Sequence, residues 1–165
     1  MHRHTAHNLL LAGTLLWCAM IVLPTLAPFI GAAGSWLARL VYGCCTHICH
    51  QYDSRSLHLF GHPLAVCGRC TGIYAGFLAG VVLARTRITQ PQRTVLPLWC
   101  VALFPMLADV GLDAIGLHAS TMTSRLVTGG VFGAGAASIL GPLVIDACVH
   151  SSFLQWKEKL YATET

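Results

Sequence analysis

The sequence predicts an all-α fold: a polytopic membrane bundle of about four transmembrane helices, with a Cys/His-rich loop on its outer side. Three observations predict it. Hydrophobic residues make up 55% of the 165 residues and charged residues only 10%, against roughly 25% charged in soluble domains. The mean hydropathy is +0.66. Apolar runs of spanning length recur along the chain, and about 20 apolar residues cross a bilayer. So few charges cannot cover a soluble surface, so lipid is the solvent for much of the molecule. The length suits a single domain. The formal charge of +4 is dispersed, with no Lys/Arg run to track a phosphate backbone, which argues against a nucleic-acid partner.

The first span is read at about 9–30. It exceeds a signal-peptide core of ~7–15 residues, although Gly31-Ala32-Ala33-Gly34 imitates a cleavage site. Pro24 and Pro28 are expected to kink or end it. Residues 35–42 read as a short interfacial helix, with Trp36 and Tyr42 at headgroup level. A loop at about 43–69 follows and holds most of the polar chemistry. The second span, about 70–84, is short and carries Gly72, Gly76 and Gly80 on one face. That spacing lets another helix backbone approach closely, either within the chain or from a membrane-protein partner. Residues 85–93 form a basic turn. The third and fourth spans are read at about 94–115 and 126–149. The loop between them, 116–124, offers Thr123 or Ser124 as an N-cap. The tail beyond His150, with Lys157, Glu158 and Lys159, is expected as a short surface helix.

Orientation follows from the basic residues. Arg85, Arg87 and Arg93 place the second connection in the cytoplasm by the positive-inside rule. An even number of spans then puts both termini inside, in the cytoplasmic membrane of a prokaryote. The Cys/His loop faces outward. This topology gathers Cys70, Asp109, Asp113 and Arg125 with the loop in one outer layer.

Of eight cysteines, Cys18, Cys100 and Cys148 lie in apolar runs and read as packing or lipid contacts. The other five crowd into the loop. Cys67-Gly68-Arg69-Cys70 is a C-x-x-C at a helix start. This spacing serves one metal ion or a small disulfide ring. The helix N-terminus and Arg69 favour the thiolate. With Cys49 and His50, the pair completes three sulfurs and one nitrogen. That set suits tetrahedral zinc, with copper(I) or iron as alternatives. Adjacent Cys and His side chains diverge, so His47, His58 or His62 compete for the nitrogen position. Cys44 and Cys45 read as packing and are left out of the site.

Asp109 and Asp113, four residues apart, share a helix face. A carboxylate inside a span costs ~2.5–3.5 kcal/mol on insertion scales, so lipid is not what they face. They pair with Arg125, or they serve as metal ligands or proton relays. With Arg125 they are the candidate catalytic residues. Asp146 is expected to pair with His150.

The strings Cys49-His50-Gln51, Arg55-Ser56, Leu59-Phe60-Gly61-His62 and Val66-Cys67-Gly68-Arg69-Cys70-Thr71-Gly72-Ile73-Tyr74 resemble the DUF2085 family. So do Asp109, Asp113, Gly116-Leu117, Ser120-Thr121, Arg125, Thr128-Gly129 and Gly133 downstream. The resemblance spans about residues 49–142. Gly68 departs from it, since the family often has Ala there, and Cys44 and Cys45 fall outside the pattern. The resemblance implies a small prokaryotic integral membrane protein and a set of polar residues, and it implies no reaction.

The functional expectation is a metal site at the outer face, zinc first, held by Cys49, His50, Cys67 and Cys70. The alternatives are a membrane thiol–disulfide oxidoreductase using Cys67 and Cys70, and a non-catalytic subunit or assembly factor that docks through Gly72, Gly76 and Gly80.

Overall fold

The computed structural model describes residues 2–84, 92–117 and 119–163. The described chain is mostly helical, with five helices and one β-hairpin. Helix α1 is Arg3–Ile30 and α2 is Ala32–Cys45. A single 3-10 turn at Asp53–Arg55 leads into strands β1, Ser56–Leu59, and β2, His62–Cys67. Helices α3, Gly68–Ala84, α4, Gln92–Ala114, and α5, Met122–Thr163, complete the chain.

Two helices are long and apolar enough to cross a membrane. They are Arg3–Ile30, with hydropathy 2.2, and Met122–His150, with hydropathy 1.7; Gly68–Ala84 is apolar but shorter. Large side chains such as Leu16, Phe29, Val101, Phe104 and Val127 point outward from α1, α4 and α5. Such a surface would be an aggregation liability in water and is an ordinary one in lipid.

Several elements differ from expectation. Pro24 and Pro28 lie inside α1, which neither breaks there nor stops until Gly31. Spanning helices tolerate Pro because neighbouring groups and local backbone adjustment satisfy the freed carbonyls. Gly31 has φ 78°, a backbone that L side chains rarely adopt, and it turns the chain straight into α2. The interfacial helix expected at 35–42 is the core of this longer α2. The tail expected as a separate helix continues α5 to Thr163. The N-cap of α5 is Thr121, not Thr123 or Ser124: Thr121 Oγ1 accepts the Ser124 amide at 3.1 Å. Asp146 pairs with Arg3 rather than His150. Arg85 and Arg87 of the expected basic turn lie outside the described residues, as do His118 and the side chains of Arg93, Lys157, Glu158 and Lys159.

The hairpin replaces the loop expected at 43–69. Its strands pair antiparallel with Leu59 opposite His62. Phe60 and Gly61 connect them at φ 54° and 78°, the two left-handed residues a tight hairpin turn needs. Leu64, Ala65 and Val66 of β2 are buried against α1 and α2, in a cluster with Ile21, Val41, Cys45 and Cys49. The polar segment is therefore a packed cap.

Helices α3 and α5 form the most extensive contact in the molecule, and small residues explain it. A Cβ at Gly72 would meet the Leu126 carbonyl, one at Gly76 the Gly130 carbonyl, and one at Gly80 the Ala137 side chain. Reciprocally, a Cβ at Gly129 or Gly133 would strike the carbonyl of Arg69 or Ile73. Close backbone approach through small residues drives helix pairing where no hydrophobic force acts. The glycine face is thus taken by α5 of the same chain, the intrachain packing that the spacing allows.

Candidate metal centre

Three sulfurs converge although the first and second are 18 positions apart in the chain. Cys49 follows the last turn of α2, Cys67 ends β2, and Cys70 lies in the first turn of α3. Their Sγ atoms all lie within 4.8 Å of one another. The fold brings them there by identifiable means. Gln51, at φ 49°, donates to the carbonyls of Tyr42 at 3.0 Å and Ala65 at 2.8 Å, tying α2 to β2. The Tyr42 hydroxyl donates to the Pro63 carbonyl. Gly68 lets the strand run directly into α3, and a Cβ there would collide with the Met122 sulfur.

The sulfurs interact with one another and with the backbone. The Cys67 amide donates to Cys49 Sγ at 3.2 Å. A hydrogen bond from the Cys70 thiol, aided by one from Cys49, outweighs burial and holds the Cys67 thiol down to about 5. Cys67 is therefore the thiolate of the group. Burial pushes the Cys45 thiol up, with Cys44 and Cys49 adding to the effect. Cys49, Cys67 and Cys70 form no disulfide.

Three cysteine sulfurs this close suit a soft or borderline metal. Tetrahedral zinc sets its sulfurs just under 4 Å apart, given bonds of about 2.3 Å. An amide donating to a ligating sulfur is the outer-shell support such sites use. The donor set and the geometry fit.

The histidines lie elsewhere. His50 is exposed and stacks on Tyr52, with centroids 6.0 Å apart and planes 16° from parallel. His58 contacts Asp53 Oδ1 at 3.0 Å and the Ser56 carbonyl at 3.1 Å. His47 and His62 are exposed. The group of sulfurs therefore forms without the nitrogen expected from His50.

A second polar layer lies beside the cysteine cap. Arg69, between Cys67 and Cys70, pairs with Asp109 of α4. Asp109 also accepts from Ser124 Oγ at 2.9 Å. Arg125 pairs with Asp113 at 3.2 Å and donates through Nε to the Ser120 carbonyl at 3.3 Å. Asp113 accepts the Ser120 amide at 3.1 Å and lies 3.9 Å from Arg55. Arg55 in turn sits over the Tyr52 ring. Asp109 and Arg125 are buried. The layer joins the 3-10 turn ahead of β1, α3, α4 and α5 through three guanidiniums and two carboxylates. The sequence places Arg55, Arg69, Asp109, Asp113 and Arg125 at one face but offers Arg125, not Arg69, as the partner of Asp109. The spacing of Arg69 from Cys70 hides that pairing, because its side chain turns away from the sulfurs toward α4.

Long apolar helices under a packed polar cap define a membrane protein. Residues 49–139 match the family described as "Predicted membrane protein (DUF2085)". That is more than half of the chain, and the chain belongs to this family. It is 31% identical over 129 residues to an uncharacterized protein of Methanocaldococcus jannaschii, covering 73% of this chain and 83% of that one. It is 30% identical over 91 residues to an uncharacterized protein of Methanothermobacter thermautotrophicus, covering 55% of this chain and 82% of that one. No solved structure matches it significantly. Cys49, His50, Cys67, Cys70, Asp109, Asp113 and Arg125 all fall inside the family segment.

Proposed function

We propose that this chain is a multi-pass protein of a prokaryotic cytoplasmic membrane that binds a metal ion, zinc first, through Cys49, Cys67 and Cys70 at its outer face. In this reading α1, α3, α4 and α5 span the bilayer and both termini are cytoplasmic. The single observation that carries the metal assignment is the convergence of three sulfurs from separate elements within 4.8 Å. Bound metal ties the end of α2 to the junction of β2 and α3. Any chemistry it supplies is Lewis-acid chemistry, and this requires a coordination position open to water or substrate. The chain's own residues hold the thiolates and position the cap. Asp109, Asp113 and Arg125 serve as the neighbouring polar layer and are the candidate groups for proton handling.

A thiol–disulfide exchange reading is favoured by the closeness of the Cys67 and Cys70 sulfurs, with a hydrogen bond from Cys70 lowering the Cys67 thiol. The subunit reading loses its docking face, because α5 covers Gly72, Gly76 and Gly80.

Elemental analysis of the purified, detergent-solubilised chain tests the proposal. Near-stoichiometric zinc, lost in Cys49→Ser, Cys67→Ser and Cys70→Ser, supports it. Metal-free protein carrying a reducible Cys67–Cys70 disulfide overturns it in favour of exchange chemistry.

A further inference from the structure

We propose that Arg55 is the contact residue of an anion site at the outer headgroup level, and that this site takes a phosphate group. The inference rests on the membrane setting proposed above and needs no metal.

The charge balance of the polar layer is the first observation. Arg55, Arg69 and Arg125 stand against Asp109 and Asp113, so one guanidinium is in excess. Both carboxylates are already engaged. Asp109 holds Arg69 and accepts from Ser124 Oγ. Asp113 holds Arg125 at 3.2 Å and accepts the Ser120 amide. Arg55 is the outlying cation. It lies 3.9 Å from Asp113, beyond hydrogen-bond reach, with its side chain 49% exposed. The fork of N–H donors on a guanidinium matches the oxygens of a phosphate.

Arg55 is also held in place. Its guanidinium lies over the Tyr52 ring, 5.7 Å from the centroid, and Tyr52 stacks on His50. The Arg55 amide donates to the Tyr52 carbonyl at 2.9 Å. A cation already resting on an aromatic face loses less freedom when it binds.

Two helix starts add to the excess. A Cβ at Gly68 would lie 3.5 Å from the Arg55 carbonyl and would strike the Met122 sulfur. Arg55 therefore borders the first residues of α3 and α5. A helix N-terminus carries partial positive charge, and neither of these helices has an acidic residue in its first turn.

Depth points to the source of the anion. Arg125 and Asp146 are 21 positions apart on α5, about 32 Å at the helical rise. The hydrocarbon core of a bilayer is about 30 Å thick. Asp146 pairs with Arg3 at one end, and Arg125 pairs with Asp113 at the other. The two ion-pair layers thus bracket the apolar core, and Arg55 stands at the level of lipid phosphates. The phosphodiester of an anionic lipid is the source that this depth favours, and free phosphate offers the same chemistry.

Calorimetric titration of the full-length chain in uncharged detergent tests the site. One arm adds phosphatidylglycerol and the other adds inorganic phosphate. Saturable, single-site binding of phosphatidylglycerol is expected. Arg55→Gln should weaken it about tenfold or more, as the loss of a charge-assisted hydrogen bond requires. Arg39→Gln, at an exposed position of α2, should weaken it by no more than about fivefold, the share of a diffuse surface attraction. Binding of inorganic phosphate alone, with the same dependence on Arg55, supports the anion site and makes its ligand a soluble one. Equal losses from the two variants, or an unaltered Arg55→Gln isotherm, overturn the site. A wild-type chain that binds neither probe overturns it without any substitution. Neither arm involves metal, so failure here leaves the reading of Cys49, Cys67 and Cys70 untouched.

Discussion

The two ends of the bundle carry the same kind of ion pair in different surroundings. At the cysteine end, Arg69 and Asp109 have side chains 16% and 6% exposed. At the opposite end, Arg3 and Asp146 pair with side chains 49% and 56% exposed. The first pair is fenced by Ser120, Ser124, Arg125 and Asp113. The second joins the start of α1 to the far part of α5 in the open. The difference teaches that an Arg–Asp contact is a structural commitment only where it is desolvated. Exposed pairs are worth ~0–1 kcal/mol, whereas breaking a buried one strands a charge and costs about 3–5 kcal/mol.

The sharpest way to break the comparison is Asp109→Asn. It leaves Arg69 buried and unpaired, and unfolding in detergent followed by circular dichroism should show a loss of about 3–5 kcal/mol. Replacing both partners with Leu should return much of that stability, because two charges are then no longer buried.

Next in size is a reactivity contrast within the cap. Cys67 is held at about 5, below the usual thiol, so its thiolate is present at pH 6 and is lost as pH falls through 5. An ordinary thiol near 8.5 is almost wholly protonated at pH 6, giving Cys67 roughly a two-orders-of-magnitude excess of thiolate there. In metal-free protein, iodoacetamide labelling mapped by mass spectrometry should be flat above about pH 6 and decline below 5. A profile that rises only above pH 8 would contradict the thiolate assignment.

Ser124→Ala removes the hydroxyl that donates to Asp109 at 2.9 Å. Hydrogen bonds to charged groups contribute about 1.5–3 kcal/mol, so this loss should fall between the two extremes. At the bottom of the scale, Arg3→Ala should cost less than ~1 kcal/mol, and that small effect should fade in high salt. A large effect from Arg3→Ala would erase the distinction between the two ends.

Much of this arrangement is legible in the amino-acid sequence. Apolar runs announce the helices, two of which, Arg3–Ile30 and Met122–His150, reach spanning length, and the positions of Asp109, Asp113 and Arg125 relative to those runs place them at one end. The C-x-x-C and Cys49 announce a sulfur site. The rest depends on long-range packing. The hairpin hides because its turn is Phe60-Gly61 rather than a usual Asn-Gly, and because Leu64, Ala65 and Val66 form a continuous apolar run rather than an alternating one. Ligand choice among the histidines hides because it depends on which way each side chain turns. His50 turns to Tyr52, and that follows from the left-handed Gln51 beside it and the clamp Gln51 makes. The partner of Gly72, Gly76 and Gly80 hides because a small-residue face serves a helix of the same chain and a foreign one equally well.

The most direct test of the central claim counts thiols. Native protein, purified without added metal, is reacted with a thiol reagent before and after treatment with a strong zinc chelator, and the labelled cysteines are mapped. The account predicts that Cys49, Cys67 and Cys70 are protected at first and become reactive together on chelation, with release of about one metal ion per chain. Identical labelling before and after, with no metal released, would contradict it.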